Sequence, residues 1–258
     1  MATDTADTNA KYLYAIVTRA EGAAWLERGA GRAGGIQGGN VYCISNGSLS
    51  AVVSDVPVGK IRPDRRHLAA HHQILKHLTA ECTVLPMSFG MVAGSPSDIQ
   101  RILSANQALL TDQLGRLDAK IEMGLRVLWD VPNIFEYFIS THPELRALRD
   151  RFYRRGREPR LEDKIELGHM FDRLLTQDRL AHTEAVEAVL GSQCTETRRN
   201  APRDEREVME LACLVHREAR KEFEEAVFEA AKLFDDSYRF DLNGPWPPHS
   251  FVDFQLQT

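Results

Sequence analysis

The sequence predicts an α+β protein of two β-α-β-β-α-β halves joined by a helix, the second half enlarged by a helical insertion. Three observations predict it. Two apolar runs, residues 41–45 (VYCIS) and 49–54 (LSAVVS), flank Asn46-Gly47-Ser48, and Asn-Gly between strand patterns is among the strongest hairpin signals. Residues 83–92, TVLPMSFGMV, form an almost unbroken apolar run directly behind a helical stretch, so they read as a strand closing a helix-to-strand unit. Residues 119–131 then alternate through Ile121, Met123, Leu125 and Val127 and open the same order again.

Each element has a local reason. Residues 11–17 (KYLYAIV) are aromatic and β-branched and read as the first strand. Residues 21–30 form a short helix with Trp25 and Leu26 inward, and the glycine-rich stretch 29–40 is a loop. After the hairpin, residues 55–63 are a connector. The helix over 63–80 presents Leu68, Ile74, Leu75 and Leu78 on one face. In the strand over 83–92, Pro86 has no N–H for a ladder and Gly90 has no side chain, which places the strand at a sheet edge or a bulge. The split βαβ, or ferredoxin-like, order has its last strand at an edge, so local and global readings agree.

Ser95-Pro96-Ser97-Asp98 caps a helix over 99–117 that links the halves. In the second half, a helix begins after Pro132 and the chain runs helically, interrupted near Gly156 and Pro159, to about Leu190. Residues 192–200 are a short polar strand or loop. Residues 209–216 fit a strand by topology and a helix by periodicity; the strand completes the repeated order. A helix over 217–234 and a strand over 238–242 follow. The segment GPWPPHSF then forces a turn and an extended exit into Phe251, Val252 and Phe254. The expected organisation is a disordered tail over 1–10, an N-terminal domain over 11–95, a linking helix over 96–118 and a C-terminal domain over 119–258.

Composition narrows the function. A net charge of −5 and a pI of about 6.0 are poor electrostatics for nucleic acid. No apolar run approaches the roughly 18 residues that span a bilayer, and the N-terminus lacks a secretory pattern. The four cysteines have no CxxC spacing and read as reduced thiols of a cytoplasmic protein.

Motifs for chemistry are weak. His67, His71, His72 and His77 crowd one helix, and His67 and His71 are four apart, with Glu81 or Cys82 as conceivable third ligands. Spacing alone is a poor ligand signal, so the reading is polar helix faces and one packed histidine, with no metal. The run Arg151, Arg154, Arg155, Arg157 and Arg160 reads as a solvated inter-helix turn. The glycines of 31–39 lack a phosphate-loop lysine, and no nucleophile or paired-carboxylate signature is present. No cofactor and no catalytic residue are expected.

Taken together, YLYAIV, LSAVVSDVP, the histidine pair in HHQILKHL, TVLPMSFG and GPWPPHSFV resemble the gas vesicle protein L/F family, in that order and over nearly the whole chain. Family members usually carry a basic residue where Ser88 stands and often a tyrosine where His249 stands. The resemblance implies a two-domain α+β accessory or minor structural protein, without catalytic activity, that interacts with the small hydrophobic shell subunit of gas vesicles. On that basis the expected partner-binding residues are Leu85, Pro86, Met87 and Phe89 at the strand edge, with Trp246 and Phe251 from the proline-framed segment, where an aromatic anchor carries little entropic cost. The competing expectation is a small-molecule-binding regulatory protein with paired ferredoxin-like domains.

Overall fold

The computed structural model describes residues 9–29, 34–153 and 159–253. The tail through residue 8, Gly31, Phe254, and Arg154, Arg155 and Arg157 of the basic run lie outside them. The chain divides into two compact units, residues 1–122 with 245–258 and residues 123–244. The proline-framed C-terminal segment therefore packs with the first unit.

In the first unit β1 (Asn9–Thr18) is buried along almost its whole length, as a central strand must be. It is followed by α1 (Arg19–Glu27), β2 (Val41–Asn46), β3 (Leu49–Pro57), α2 (Arg65–Glu81) and two short strands, β4 (Leu85–Pro86) and β5 (Val92–Ala93). The sheet order is β2-β3-β1-β4, with β5 also on β1. The hairpin register pairs Asn46 with Leu49, so Gly47 and Ser48 are the two loop residues, and Gly47 takes φ 58°. The turn thus sits one residue later than Asn-Gly suggests. Asp64 caps α2 by accepting from the His67 amide at 2.8 Å. Against the sheet α2 buries Ile74, Leu75 and Leu78, beside Trp25 and Ile36.

Two expectations change here. The strand over 83–92 is not continuous. Pro86 pairs with Ala15 and Val92 with Tyr12, so five residues, 87–91, face only Leu13 and Tyr14. Met87 N–H bonds Tyr14 O and Leu13 N–H bonds Met91 O, both at 2.9 Å, and Ser88, Phe89 and Gly90 are pushed out of the ladder. The helix over 99–117 is two helices, α3 (Pro96–Ala105) and α4 (Gln107–Arg116). They part at buried Asn106, whose side-chain amide bonds Ile102 O at 2.8 Å and competes with the backbone for that carbonyl.

The second unit takes up β6 (Lys120–Trp129), then α5 (Ile134–Thr141), α6 (Pro143–Tyr153), α7 (Leu161–Leu190), β7 (Glu196–Asn200), β8 (Glu207–His216), α8 (Arg220–Ala231) and β9 (Tyr238–Trp246). Its sheet order is β7-β8-β6-β9, the pattern of the first sheet again. The segment with competing helix and strand periodicity is the strand β8, buried at eight of its ten positions, all but half-buried Glu210 and exposed His216. Burial on both faces removes the alternation that would have marked it as a strand. The last strand is longer than expected and runs through Gly244 and Pro245 before any turn; β9 is an edge, where proline's missing N–H costs no ladder bond. The turn comes at a 3-10 segment, His249–Phe251. The core gathers Trp129, Phe138, Leu175, Val186, Leu211, Val215 and Phe223. Among the described residues no helix is long and apolar enough to cross a membrane.

Candidate functional site

The outer margin of β4 and β5 is an open sheet edge. Neither strand pairs with any described strand except β1, so the side facing away from β1 carries no ladder. Ser88 and the stretch Gly90 to Val92 are exposed, and Met91 and Val92 present apolar side chains to solvent at 38% and 37% exposure. An unpaired margin with apolar side chains can accept an extended segment, the backbone supplying affinity and the side chains selectivity.

The bulged segment is held from below. Tyr12 Oη accepts from the Gly90 amide at 3.1 Å and lies 3.0 Å from His71 Nδ1. With its lone pair facing Gly90, the Tyr12 hydroxyl is free to donate to Nδ1. His71 also hydrogen-bonds the Met87 backbone. One buried pair therefore grips both ends of the excursion. Phe89 closes over it, its ring 5.9 Å from that of Tyr12 and 5.7 Å from that of His71. Tyr14 stacks on His71 at 5.8 Å, and its hydroxyl bonds Ser54 Oγ at 2.8 Å and the Ile36 amide at 2.7 Å.

Burial sets the protonation of this cluster. It pushes the Tyr12 phenol up to about 12 and raises that of Tyr14. It pushes His71 down to about 4, with the nearby His72 and His249 adding to the effect, and it lowers His249 as well. The cluster is thus neutral near pH 7, and it orders backbone.

Gly90 sits at φ 90°, where an added Cβ would meet nothing within 4 Å. Gly90→Ala is expected to cost about 1–2 kcal/mol from backbone strain alone, read as a lowered midpoint in urea unfolding. An unchanged midpoint would mean that the segment is not held in this conformation.

The residues expected to bind a partner are divided. Leu85, Pro86 and Met87 point into the core, with Leu85 fully buried. Phe89 is half-buried on the aromatic cluster. Trp246 is 44% exposed at the end of β9. Phe251 is fully buried, and its carbonyl accepts from Arg116. Its neighbour Ser250 ties down the segment through its N–H and hydroxyl, at 2.8 and 2.7 Å from the Glu122 carboxylate. The solvent-facing apolar residues of this margin are Met91 and Val92. Sequence parity misses them because a three-residue excursion resets which side each residue faces.

The four clustered histidines do not converge. His67 bonds the Arg62 carbonyl at 2.9 Å and lies 3.3 Å from Asp64, while His71 serves Tyr12 and Met87. Glu81 pairs with Arg28, and Cys82 is buried. Among the described residues no group of three or more His, Cys, Asp or Glu side chains is placed to hold a metal.

Comparison with known proteins bears on this geometry. A family profile described as gas vesicle synthesis protein GvpL/GvpF matches residues 10–253. Gas vesicle protein F of a Streptomyces species is 27% identical over 213 residues, covering 83% of this chain and 88% of that protein. Gas vesicle protein L of the same species is 28% identical over 264 residues, covering 94% and 92%. The crystal structure of GvpF from Anabaena superposes with a TM-score of 0.80 at 20% identity, over 96% of this chain and 99% of that one. GvpF from Microcystis aeruginosa gives 0.75 at 19% identity, over 95% and 99%. At these identities the structural likeness concerns the fold.

Proposed function

This chain belongs to the gas vesicle synthesis protein GvpL/GvpF family, and from that premise we propose that it binds the small hydrophobic shell subunit in the cytoplasm and supports vesicle assembly. The observation that carries this reading is the unpaired margin of β4 and β5, with Met91 and Val92 exposed upon it. A very apolar subunit aggregates unless its extended segments are occupied, and a sheet margin occupies such segments by strand addition. The Tyr12–His71 pair fixes the bulge that aims Met91 outward, and half-buried Phe89 and exposed Trp246 are further contact residues. Leu85, Pro86, Met87 and Phe251 support that surface from inside. The two sheets share one strand order, which fits a pair of ferredoxin-like halves. No catalytic residue, metal or cofactor enters this role.

The test is co-expression of the tagged full chain with the shell subunit, followed by affinity capture. The unmodified chain is expected to retain the subunit. Met91→Glu with Val92→Lys is expected to reduce capture at least tenfold with an unchanged melting temperature, because both side chains are exposed. Equal capture by a folded double variant would remove the margin from the interface.

A further inference from the structure

Two thiols of the second unit meet although they stand far apart in the chain. Cys213 is fully buried on β8 and pairs with Thr197 of β7 across the antiparallel register. Directly opposed residues put their side chains on one face. Cys194 lies just ahead of β7. Its N–H bonds Leu190 O at the end of α7 at 3.2 Å, and the N–H of the next residue, Thr195, bonds Leu214 O of β8 at 2.8 Å. The chain bends at Thr195, which takes Cys194 out of the alternation of the strand and brings its side chain to the face of Thr197 and Cys213. There the Cys194 sulfur hydrogen-bonds both the Cys213 thiol and the Thr197 hydroxyl, and Thr197 bonds Cys213 as well. Both cysteines are free thiols.

The contact is asymmetric. Cys194 is half-buried between exposed Ser192 and Thr195, whereas Cys213 is sealed in the core. The hydrogen bond from Cys213, seconded by that from Thr197, holds the Cys194 thiol below its ordinary range in spite of burial; the same shared bond, together with burial, pushes Cys213 up. A favoured thiolate at the more accessible sulfur, backed by a protonated thiol in contact with it, is the arrangement of an attacking and a resolving cysteine. The other two cysteines differ. Burial pushes Cys43 up to about 11, and buried Cys82 directs its S–H toward Glu21 O at 3.9 Å.

We propose that Cys194 and Cys213 form a reversible modification site for hydroperoxides, closing to a disulfide on oxidation and reopening with a thiol reductant. The Cys194 thiolate attacks one peroxide oxygen. The S–O bond forms, the O–O bond breaks, and the departing hydroxide or alkoxide takes up the proton that Cys194 released. The Cys213 sulfur then attacks the Cys194 sulfur. The S–S bond forms, the S–O bond breaks, and hydroxide leaves as water with the Cys213 proton. Two thiols are oxidised and one peroxide is reduced. The site lies wholly within the second unit and does not depend on the shell-binding reading.

The experiment treats the purified full chain with hydrogen peroxide near equimolar ratio, alkylates the remaining thiols under denaturing conditions and maps the peptides by mass spectrometry. The expected product is an internal Cys194–Cys213 link, lighter by two hydrogens, with Cys43 and Cys82 still alkylated and the link reversed by dithiothreitol. The link is expected to form about tenfold faster than any oxidation of Cys43. In Cys213→Ala the sulfenic acid is expected to persist at Cys194, where dimedone captures it; Cys194→Ser is expected to lose both the link and the label. Because the bond closes a loop of roughly 20 residues, the oxidised chain is expected to melt about 5 °C higher than the reduced one. Oxidation of Cys43 ahead of Cys194, a link between two copies in place of the internal one, sulfinic acid at Cys194 without a link, or a linked chain that melts lower would each overturn the proposal. The peptide map of the unmodified chain decides even where a variant fails to fold.

Discussion

Glu207→Ala is expected to destabilise the protein by about 2–4 kcal/mol, the cost of removing a fully buried carboxylate on which a partly exposed arginine and a backbone N–H depend. Glu207 is fully buried at the start of β8. Its Oε1 accepts from Arg126 Nε at 2.6 Å, and its Oε2 accepts from the Arg203 amide at 2.6 Å. Its own carbonyl accepts from Arg179 Nε at 2.9 Å, and the same guanidinium bonds Asp204 O at 2.8 Å. The loop from Arg203 to Glu207 is therefore assembled around one carboxylate. Alanine leaves the Arg126 guanidinium and the Arg203 N–H without their acceptor and opens a void beside β6. Glu207→Gln keeps acceptor oxygen in place and is expected to cost clearly less. Guanidinium unfolding read by circular dichroism measures both. A loss under 1 kcal/mol for the alanine variant would show that water replaces the carboxylate at little cost.

Acid is expected to remove about 3 kcal/mol of stability between pH 6.5 and pH 4 through His71. Burial holds its folded pKa at about 4, against an ordinary 6.5, with the charges of His72 and His249 acting in the same direction. The unfolded chain therefore binds the proton more readily than the folded one throughout that window. Stability is complete above pH 6.5 and declines as the pH falls toward 4, at ~1.4 kcal/mol per unit where the two states differ by one proton. His249 and His182 are also lowered by burial and add slope of the same sign. The measurement is the urea midpoint at half-unit pH steps, in the unmodified chain and in His71→Gln. The variant is expected to start lower, because it weakens the hold on Tyr12, and to show a shallower decline. An identical slope in the two proteins would place the acid sensitivity elsewhere.

Much of the fold was legible because its signals are local. Ser95, expected as a cap, accepts from the Asp98 amide three residues on, a bond that needs no distant partner; Asp64 and Asn133 cap their helices in the same way without having been singled out from the sequence. The Asn46-Gly47-Ser48 stretch turns because glycine reaches positive φ without strain. The apolar run at 83–92 was recognisable as a pairing segment, yet its character hides two different duties. Leu85 and Met87 fill the core, whereas Met91 and Val92 meet solvent. Composition cannot separate these, because the break between them is made by hydrogen bonds from Tyr12 and His71, 78 and 59 residues apart in their respective pairings.

By itself the sequence determined the alternation of helix and strand, the Ser95 cap and the hairpin, and the resemblance to one family, because each depends on neighbouring residues or on the order of motifs along the chain. Only the tertiary structure decided that residues 88–90 leave the ladder, that the helix over 99–117 parts at Asn106, and that Ser250 and Phe251 fasten the C-terminal segment to Glu122 and Arg116. Those outcomes come from donors and acceptors far apart in the chain, which must be satisfied once water is excluded.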